Sequence, residues 1–168
     1  STNFSSTKLQ FHIICYLCGM KTYKVIIVGS GNVAEAFARA LKATSNEVVQ
    51  IYARNGERGE AVAAIAGCEW CCEPTALKAA DIYLLCVSDR AIKEVAASLP
   101  FSPNAIVAHT AGCGTLELLP EGVHRGIVYP FQTFSAGRRV DFSKIFLFIE
   151  AQDEATHSKA TEFAKTLT

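Results

Sequence analysis

The chain has 168 residues, 50% of them hydrophobic and 19% charged. That composition describes one folded globular domain and excludes a disordered chain. Lys and Arg total 16, as do Asp and Glu, so no net field draws the chain to nucleic acid or to an anionic membrane.

The first nineteen residues, STNFSSTKLQFHIICYLCG, differ in character from the rest. Their apolar stretch is too short to span a bilayer. It has no basic start and no small-residue cleavage site of the secretory kind. Residues 1–19 are expected to be a non-native segment or an upstream extension. The single methionine, Met20, opens "MKTYKVIIVG", a natural start for a domain that begins with a strand. Residues 20–168 are expected to form that domain. It stops inside a helical pattern at Thr168, so it reads as truncated at its C-terminus.

Lys24–Val28 is a short β-branched run, read as a buried strand. Asn32–Lys42 places Ala34, Phe37, Ala38 and Leu41 at helical spacing. Glu47–Tyr52 is a second strand, and Glu57–Ala66 a second helix with Val62, Ile65 and Ala66 on one side. A short strand is expected near Glu69 and Trp70, then a brief helix over Thr75–Ala79. Asp81–Val87, "DIYLLCV", is a strong buried strand.

Asp89 is expected to cap the next helix, which carries Ile92, Val95, Ala96 and Leu99 and ends at Pro100 and Pro103. Further strands are read at Ala105–His109, Gly126–Tyr129 and Ile145–Glu150. Asp153 starts a last helix with Ala160, Phe163, Ala164 and Leu167 on its face. Strands that alternate with helices and read as continuous apolar runs are the signature of a parallel sheet covered on both faces. The predicted class is α/β: a Rossmann-type doubly wound, mainly parallel sheet.

The stretch Gly29-Ser30-Gly31-Asn32-Val33-Ala34 follows the first strand and opens the first helix. In that setting the G-x-G-x-x-A pattern is a pyrophosphate cradle. Gly29 permits the sharp turn, Gly31 allows close backbone approach, and Ala34 lets helix and strand pack closely. The helix N-terminus offers N–H groups and partial positive charge to phosphates. The alternative is a glycine turn that holds nothing.

A carboxylate at the end of the second strand would favour NAD by bonding the ribose hydroxyls. Here that strand runs into "ARNGER", with Arg54 and Asn55 at the position of the acid and Arg58 close behind. A guanidinium grips a 2′-phosphate through charged hydrogen bonds. The cofactor expectation is therefore NADP(H) over NAD(H), with Arg54 as a solvated loop charge the alternative.

Ligands of open α/β sheets sit outside the carboxyl ends of the strands. Val87 and Ser88 close the fourth strand there. His109 and Thr110 leave the fifth, ahead of Gly112 and Gly114. His109 is the candidate catalytic residue, as a proton shuttle near neutral pH; the alternative is a histidine tied to loop carbonyls. In "VYPFQTFS", Gln132, Thr133 and Ser135 stand among aromatics, as in a pocket wall.

The seven cysteines are Cys15, Cys18, Cys68, Cys71, Cys72, Cys86 and Cys113. An odd number scattered through an α/β pattern fits unpaired thiols in a reducing cytoplasm. Two Cys-x-x-Cys spacings, Cys15/Cys18 and Cys68/Cys71, do not make a convincing zinc site, and no metal is expected. His12, His124 and His157 carry no signal.

Together, "GSGNVAEAFARAL", "IYARN", "DIYLLCVSD", "VAHTAG", "YPFQTFS" and "FIEA" resemble the Rossmann-like proteins that carry an uncharacterised C-terminal helical domain. These are often labelled deazaflavin-type NADP oxidoreductases, in the broad group of pyrroline-carboxylate reductase and 6-phosphogluconate dehydrogenase. The resemblance covers about residues 24–168. It implies a nucleotide-binding domain here, and a helical domain, absent from this sequence, that closes the substrate cleft and builds a homodimer.

By position, Gly29, Ser30, Gly31, Asn32 and Val33 match the phosphate loop, and Arg54 and Asn55 the 2′-phosphate end. Val87, Ser88 and His109 to Gly112, with Thr110 between, match segments beside the nicotinamide. Cys113 departs from a more usual serine.

The leading reading is the NADP(H)-binding domain of an oxidoreductase that moves hydride to or from a small carbonyl, imine or deazaflavin partner. The substrate is a small molecule, with no nucleic acid and no membrane as partner. A dinucleotide-binding sensor that turns nothing over is the runner-up. An interaction module with an empty glycine turn is the third reading.

Overall fold

The structure is a computed structural model and describes residues 21–168. The expectations for residues 1–19, Met20, His12 and the Cys15/Cys18 pair lie outside the described residues. Seven strands form one sheet: β1 Lys24–Val28, β2 Glu47–Tyr52, β3 Glu69–Cys71, β4 Ile82–Leu85, β5 Ile106–His109, β6 His124–Pro130 and β7 Leu147–Ala151. Their order is β3-β2-β1-β4-β5-β6-β7. All neighbours are parallel except β6 and β7, which are antiparallel. The helices are α1 Asn32–Lys42, α2 Gly56–Ala66, α3 Ile92–Ser98 and α4 Glu154–Lys165.

The expected α/β, doubly wound architecture is present, and its physical basis is the apolar strands. Val25 through Val28 and Ile82 through Leu85 are buried on both faces of the sheet. One core lies between the sheet and α1, α2 and α4, and holds Ile27, Phe37, Leu41, Leu84 and Phe163. Phe37 and Leu41 are fully buried and each contributes about 2 kcal/mol by leaving water. The second core lies under α3 and holds Ile26, Val28, Tyr83, Leu85, Ile92 and Val107.

Local chemistry sets the helix ends. Asn55 caps α2 by accepting from the Arg58 N–H at 3.0 Å, and Asp153 caps α4 by accepting from the Thr156 N–H at 2.8 Å. The expected cap at Asp89 is corrected. Asp89 lies in a 3₁₀ turn, Asp89–Ala91, and α3 starts after Ala91 with no side-chain cap. The Ala91 N–H bonds the Ser88 carbonyl at 2.8 Å, which closes a tighter turn first.

The helix expected over Thr75–Ala79 shrinks to a 3₁₀ turn, Pro74–Ala76. Buried Gln50 explains this, since its amide donates to the Ala76 carbonyl at 3.1 Å and accepts from the Lys78 N–H at 2.9 Å. Strand β6 begins two residues ahead of the Gly126 expected from sequence. No α-helix separates β6 from β7, and without a helical crossover the chain returns antiparallel.

Candidate functional site

Strand order reverses between β1 and β4, with β2 and β3 on one side and β5 and β6 on the other. In an open α/β sheet a ligand crevice forms at such a switch point, outside the carboxyl ends of the strands. The turn Gly29–Gly31 emerges there. Gly29 has φ +118°, and a Cβ on it would lie 2.6 Å from the Cys86 carbonyl oxygen. The fold itself therefore demands glycine at this position, because β1 and β4 close tightly against the turn.

Gly31 differs. Its φ is −82° and a Cβ there would meet nothing within 4 Å. Neither strain nor packing asks for glycine at 31. A ligand lying over the turn would, because a side chain would occupy the space that a pyrophosphate needs. Gly31 is the N-cap of helix α1 and supplies no side-chain cap, and the first bond runs from the Glu35 N–H to the Gly31 carbonyl at 3.0 Å. The amides ahead of Glu35 are the ordinary anion-binding groups of a helix N-terminus. Ala34 is fully buried, as close packing of helix on strand requires.

The neighbouring segments are pinned to this rim. The Gly29 N–H bonds the Tyr52 carbonyl at 2.7 Å, and the Cys86 N–H bonds the Val28 carbonyl at 2.7 Å. Exposed Asn32 donates from Nδ2 to the Phe134 carbonyl at 3.3 Å. That bond draws the Pro130–Ser135 stretch to the phosphate loop. Val33 is half-buried against the core of α1, and Ser30 is half-buried in the turn.

Arg54 and Asn55 leave β2 at the same rim. The Arg54 side chain is 70% exposed and lies 3.3 Å from Glu94 of α3, a weak surface pair that an incoming anion can displace. Asn55 uses its carbonyl oxygen for the α2 cap. Arg58, one turn into α2, donates from Nε to the Ser30 carbonyl at 3.1 Å and from Nη2 to Glu35 at 3.3 Å. Hydrogen bonds from Arg39 first, then from Arg58, hold the Glu35 carboxyl below the usual range. Sequence reasoning noted Arg58 but not this link. Its signal was the position three residues past a capping asparagine.

Val87 and Ser88 close the β4 end, half-buried and exposed respectively. Thr110 at the end of β5 donates through both its N–H and its hydroxyl to the Leu85 carbonyl, each at 3.3 Å. Gly112 lies beneath Tyr129, since a Cβ there would be 2.5 Å from the ring. Gly112 thus has a packing reason of its own.

His109 is fully buried. Its Nδ1 accepts from the Ala111 N–H at 3.2 Å, which leaves the proton on Nε2, 3.1 Å from the Thr115 carbonyl. Burial lowers its proton affinity below the ordinary imidazole value, while the Thr115 carbonyl partly opposes the shift. Both ring nitrogens are engaged by the loop that follows β5. The proton shuttle considered from sequence would need one of them free toward a substrate.

Among the described residues no group of three or more His, Cys, Asp or Glu is placed to hold a metal ion. Cys68, Cys71, Cys72, Cys86 and Cys113 are free thiols. No described helix is long and apolar enough to cross a membrane.

A reversed strand order, with a glycine turn and a helix start at the reversal, defines a Rossmann-like fold with the layout of a dinucleotide-binding domain. The family model "NADP oxidoreductase coenzyme F420-dependent" matches residues 24–112, and the chain belongs to that family.

A protein from Bacteroides fragilis designated an NADP oxidoreductase superposes with a TM-score of 0.81 at 30% identity, over 87% of this chain and 58% of that one. Pyrroline-5-carboxylate reductase from Streptococcus pyogenes has a TM-score of 0.68 at 14% identity, over 87% and 56%. Arogenate dehydrogenase from Synechocystis gives 0.63 at 17%, over 86% and 55%. The last two show a shared fold only. The chain thus spans a little over half the length of these three solved structures. A comparison with curated proteins gave no match.

Proposed function

We propose that this domain binds NADP(H) across the Gly29–Val33 turn and presents the nicotinamide for hydride exchange with a small carbonyl, imine or deazaflavin partner. The observation that carries this reading is the contrast at the turn. The fold requires Gly29, whereas nothing in the fold requires Gly31, and a pyrophosphate over the turn would. The family's description supports the nicotinamide cofactor.

The bound cofactor would supply the hydride chemistry, and the protein binding and orientation. The α1 amides would receive the pyrophosphate. Arg54, with Asn55 beside it, would receive the 2′-phosphate by releasing Glu94. Val87, Ser88, Thr110 and Gly112 would border the nicotinamide half. His109 would act as a positioning residue that holds the Thr110–Thr115 loop through its two ring bonds. Substrate contacts and a proton donor would then come from outside this domain, as would a homodimer built by a helical domain.

A second reading is a dinucleotide-binding sensor without turnover. The engaged state of His109 favours it, since the described rim offers no free imidazole.

Titration with NADPH and, separately, NADH, followed by cofactor fluorescence, tests the assignment. NADPH should bind tighter. Arg54→Ala should weaken NADPH by roughly 10- to 100-fold, the range of a charged hydrogen bond, and leave NADH unchanged. Equal binding of the two keeps the cradle and removes the 2′-phosphate role. Binding of neither removes both.

A further inference from the structure

Strand β6 ends at Pro130, and α1 begins at Asn32 just past the end of β1. The two strands stand three places apart, with β4 and β5 between them, a separation of about 14 Å. Phe134 nevertheless meets α1. Its carbonyl accepts from Asn32 Nδ2 at 3.3 Å. Its ring lies 6.3 Å from that of Phe142, which lies 5.0 Å from Phe37 of α1. Four residues reach about 14 Å at most, so the chain from Pro130 to Phe134 has no length for a detour. It crosses the carboxyl ends of β5 and β4, where Val87, Ser88 and Thr110 leave the sheet.

This crossing is held at both ends. On the β6 side the Phe131 N–H bonds the Phe146 carbonyl at 2.9 Å, and the Gln132 N–H bonds the Pro130 carbonyl at 2.9 Å. On the α1 side stand Asn32 and Phe142. Gln132 and Thr133 lie between these anchors and are exposed. Gln132 Oε1 accepts from the Thr133 N–H at 3.2 Å. Among the described residues, neither Gln132 Nε2 nor the Thr133 hydroxyl has a partner.

The crevice tells what these two groups can meet. With the pyrophosphate at the glycine turn after β1 and the 2′-phosphate at Arg54 after β2, the adenosine half takes the β2 side. The nicotinamide half then runs the other way, over β4 and β5, along the crossing. Residues 130–135 read PFQTFS and carry no charge, which suits a neutral polar group and not a phosphate. A carboxamide is such a group, with an oxygen that accepts and an NH₂ that donates. A glutamine NH₂ matches the first and a threonine hydroxyl can match either.

We propose that Gln132 and Thr133 form a subsite for the nicotinamide carboxamide. The subsite rests on the NADP(H) assignment of the Gly29–Val33 turn. Gln132 Nε2 supplies the donor, and the Thr133 hydroxyl the second polar group. Asn32 is a positioning residue, since its bond to Phe134 ties this subsite to the phosphate loop.

Calorimetric titration of the full 168-residue chain with NADPH and with 2′-phospho-ADP-ribose, the same molecule without its nicotinamide, tests this. Gln132→Ala should weaken NADPH by about two- to tenfold, the range of a neutral hydrogen bond, and leave 2′-phospho-ADP-ribose unchanged. Gln132→Glu keeps the acceptor for the Thr133 N–H but loses the donor, so it should weaken NADPH as well. Both changes fall at an exposed position, and the circular dichroism spectrum should not move. NADPH binding restored in Gln132→Glu overturns the inference, since Gln132 then only shapes the crossing. Equal losses of both ligands overturn it too, because the crossing then serves the phosphates. So does NADPH binding untouched in both variants. If the unaltered chain binds neither ligand, the cofactor assignment itself fails and the subsite falls with it.

Discussion

Arg58 and Ser30 are joined by a hydrogen bond of 3.1 Å from the guanidinium Nε to the backbone carbonyl. One side chain of α2 thus braces the glycine turn that leads into α1. Its Nη2 reaches Glu35 on α1 as well, so the turn is held from two directions. Arg58→Ala should weaken NADPH and NADH alike, by contrast with Arg54→Ala, whose effect should fall on NADPH alone. The pair is only partly buried, with Arg58 43% and Glu35 18% exposed, and is worth about 1 kcal/mol, so the melting temperature should fall only slightly. Paired titrations of the two variants with both cofactors check this, and a loss confined to NADPH in the Arg58 variant would contradict it.

The two glycines of the turn should fail in different ways. Gly29→Ala combines φ +118° with a 2.6 Å approach to the Cys86 carbonyl. It should lower stability by about 1–3 kcal/mol or more, read as an earlier urea midpoint. Gly31→Ala should leave that midpoint in place and reduce cofactor affinity. If Gly31→Ala binds cofactor normally, the pyrophosphate does not lie over the turn.

His109 ties stability to pH. Its folded-state proton affinity is lowered, mainly by burial, below the ordinary value of 6.5. The unfolded chain therefore binds the proton more readily. The folded state should have its full His109 contribution above about pH 6.5 and lose it as pH falls toward the lowered value. Urea midpoints should drop between about pH 7.5 and about pH 5.5, and drop less in His109→Gln. Carboxylates with lowered values, such as Glu35, act in more acidic solution and do not imitate this window.

The thiols should react in an order set by burial. Desolvation pushes Cys86 up to about 12 and Cys68 up to about 11. Cys113 is exposed. Among the described cysteines, iodoacetamide at neutral pH should modify Cys113 first and leave Cys86 untouched until the protein unfolds. Peptide mass mapping over a time course reads this directly. Early labelling at Cys86 would mean that β4 opens readily at its carboxyl end.

Much of the architecture was legible in the sequence because it depends on near neighbours. A short β-branched apolar run such as Val25–Val28 reads as a buried strand, and the spacing of Phe37 and Leu41 puts both on one helix face. Asp153 capped its helix where expected, because a cap involves residues three apart. Asp89 did not, since the Ser88 carbonyl had already closed a tighter turn. The brief helix at Thr75–Ala79 failed for a longer-range reason, the two bonds that buried Gln50 makes across to Ala76 and Lys78.

By itself, the sequence determined the kind of sheet, the place of the glycine turn, and the cations that follow β2. These follow from residue type and local spacing. Only the tertiary structure decided how the rim is assembled. Asn32 meets Phe134 across 102 positions, Arg58 meets Ser30 across 28, and strand pairing sets Tyr129 beside Phe148. No local pattern encodes such contacts, because chain distance and spatial distance part once a sheet forms. The same holds for His109, whose residue type suggested a titrating group. The fold engaged both its nitrogens, one with Ala111 and one with Thr115, once the loop after β5 closed over the ring.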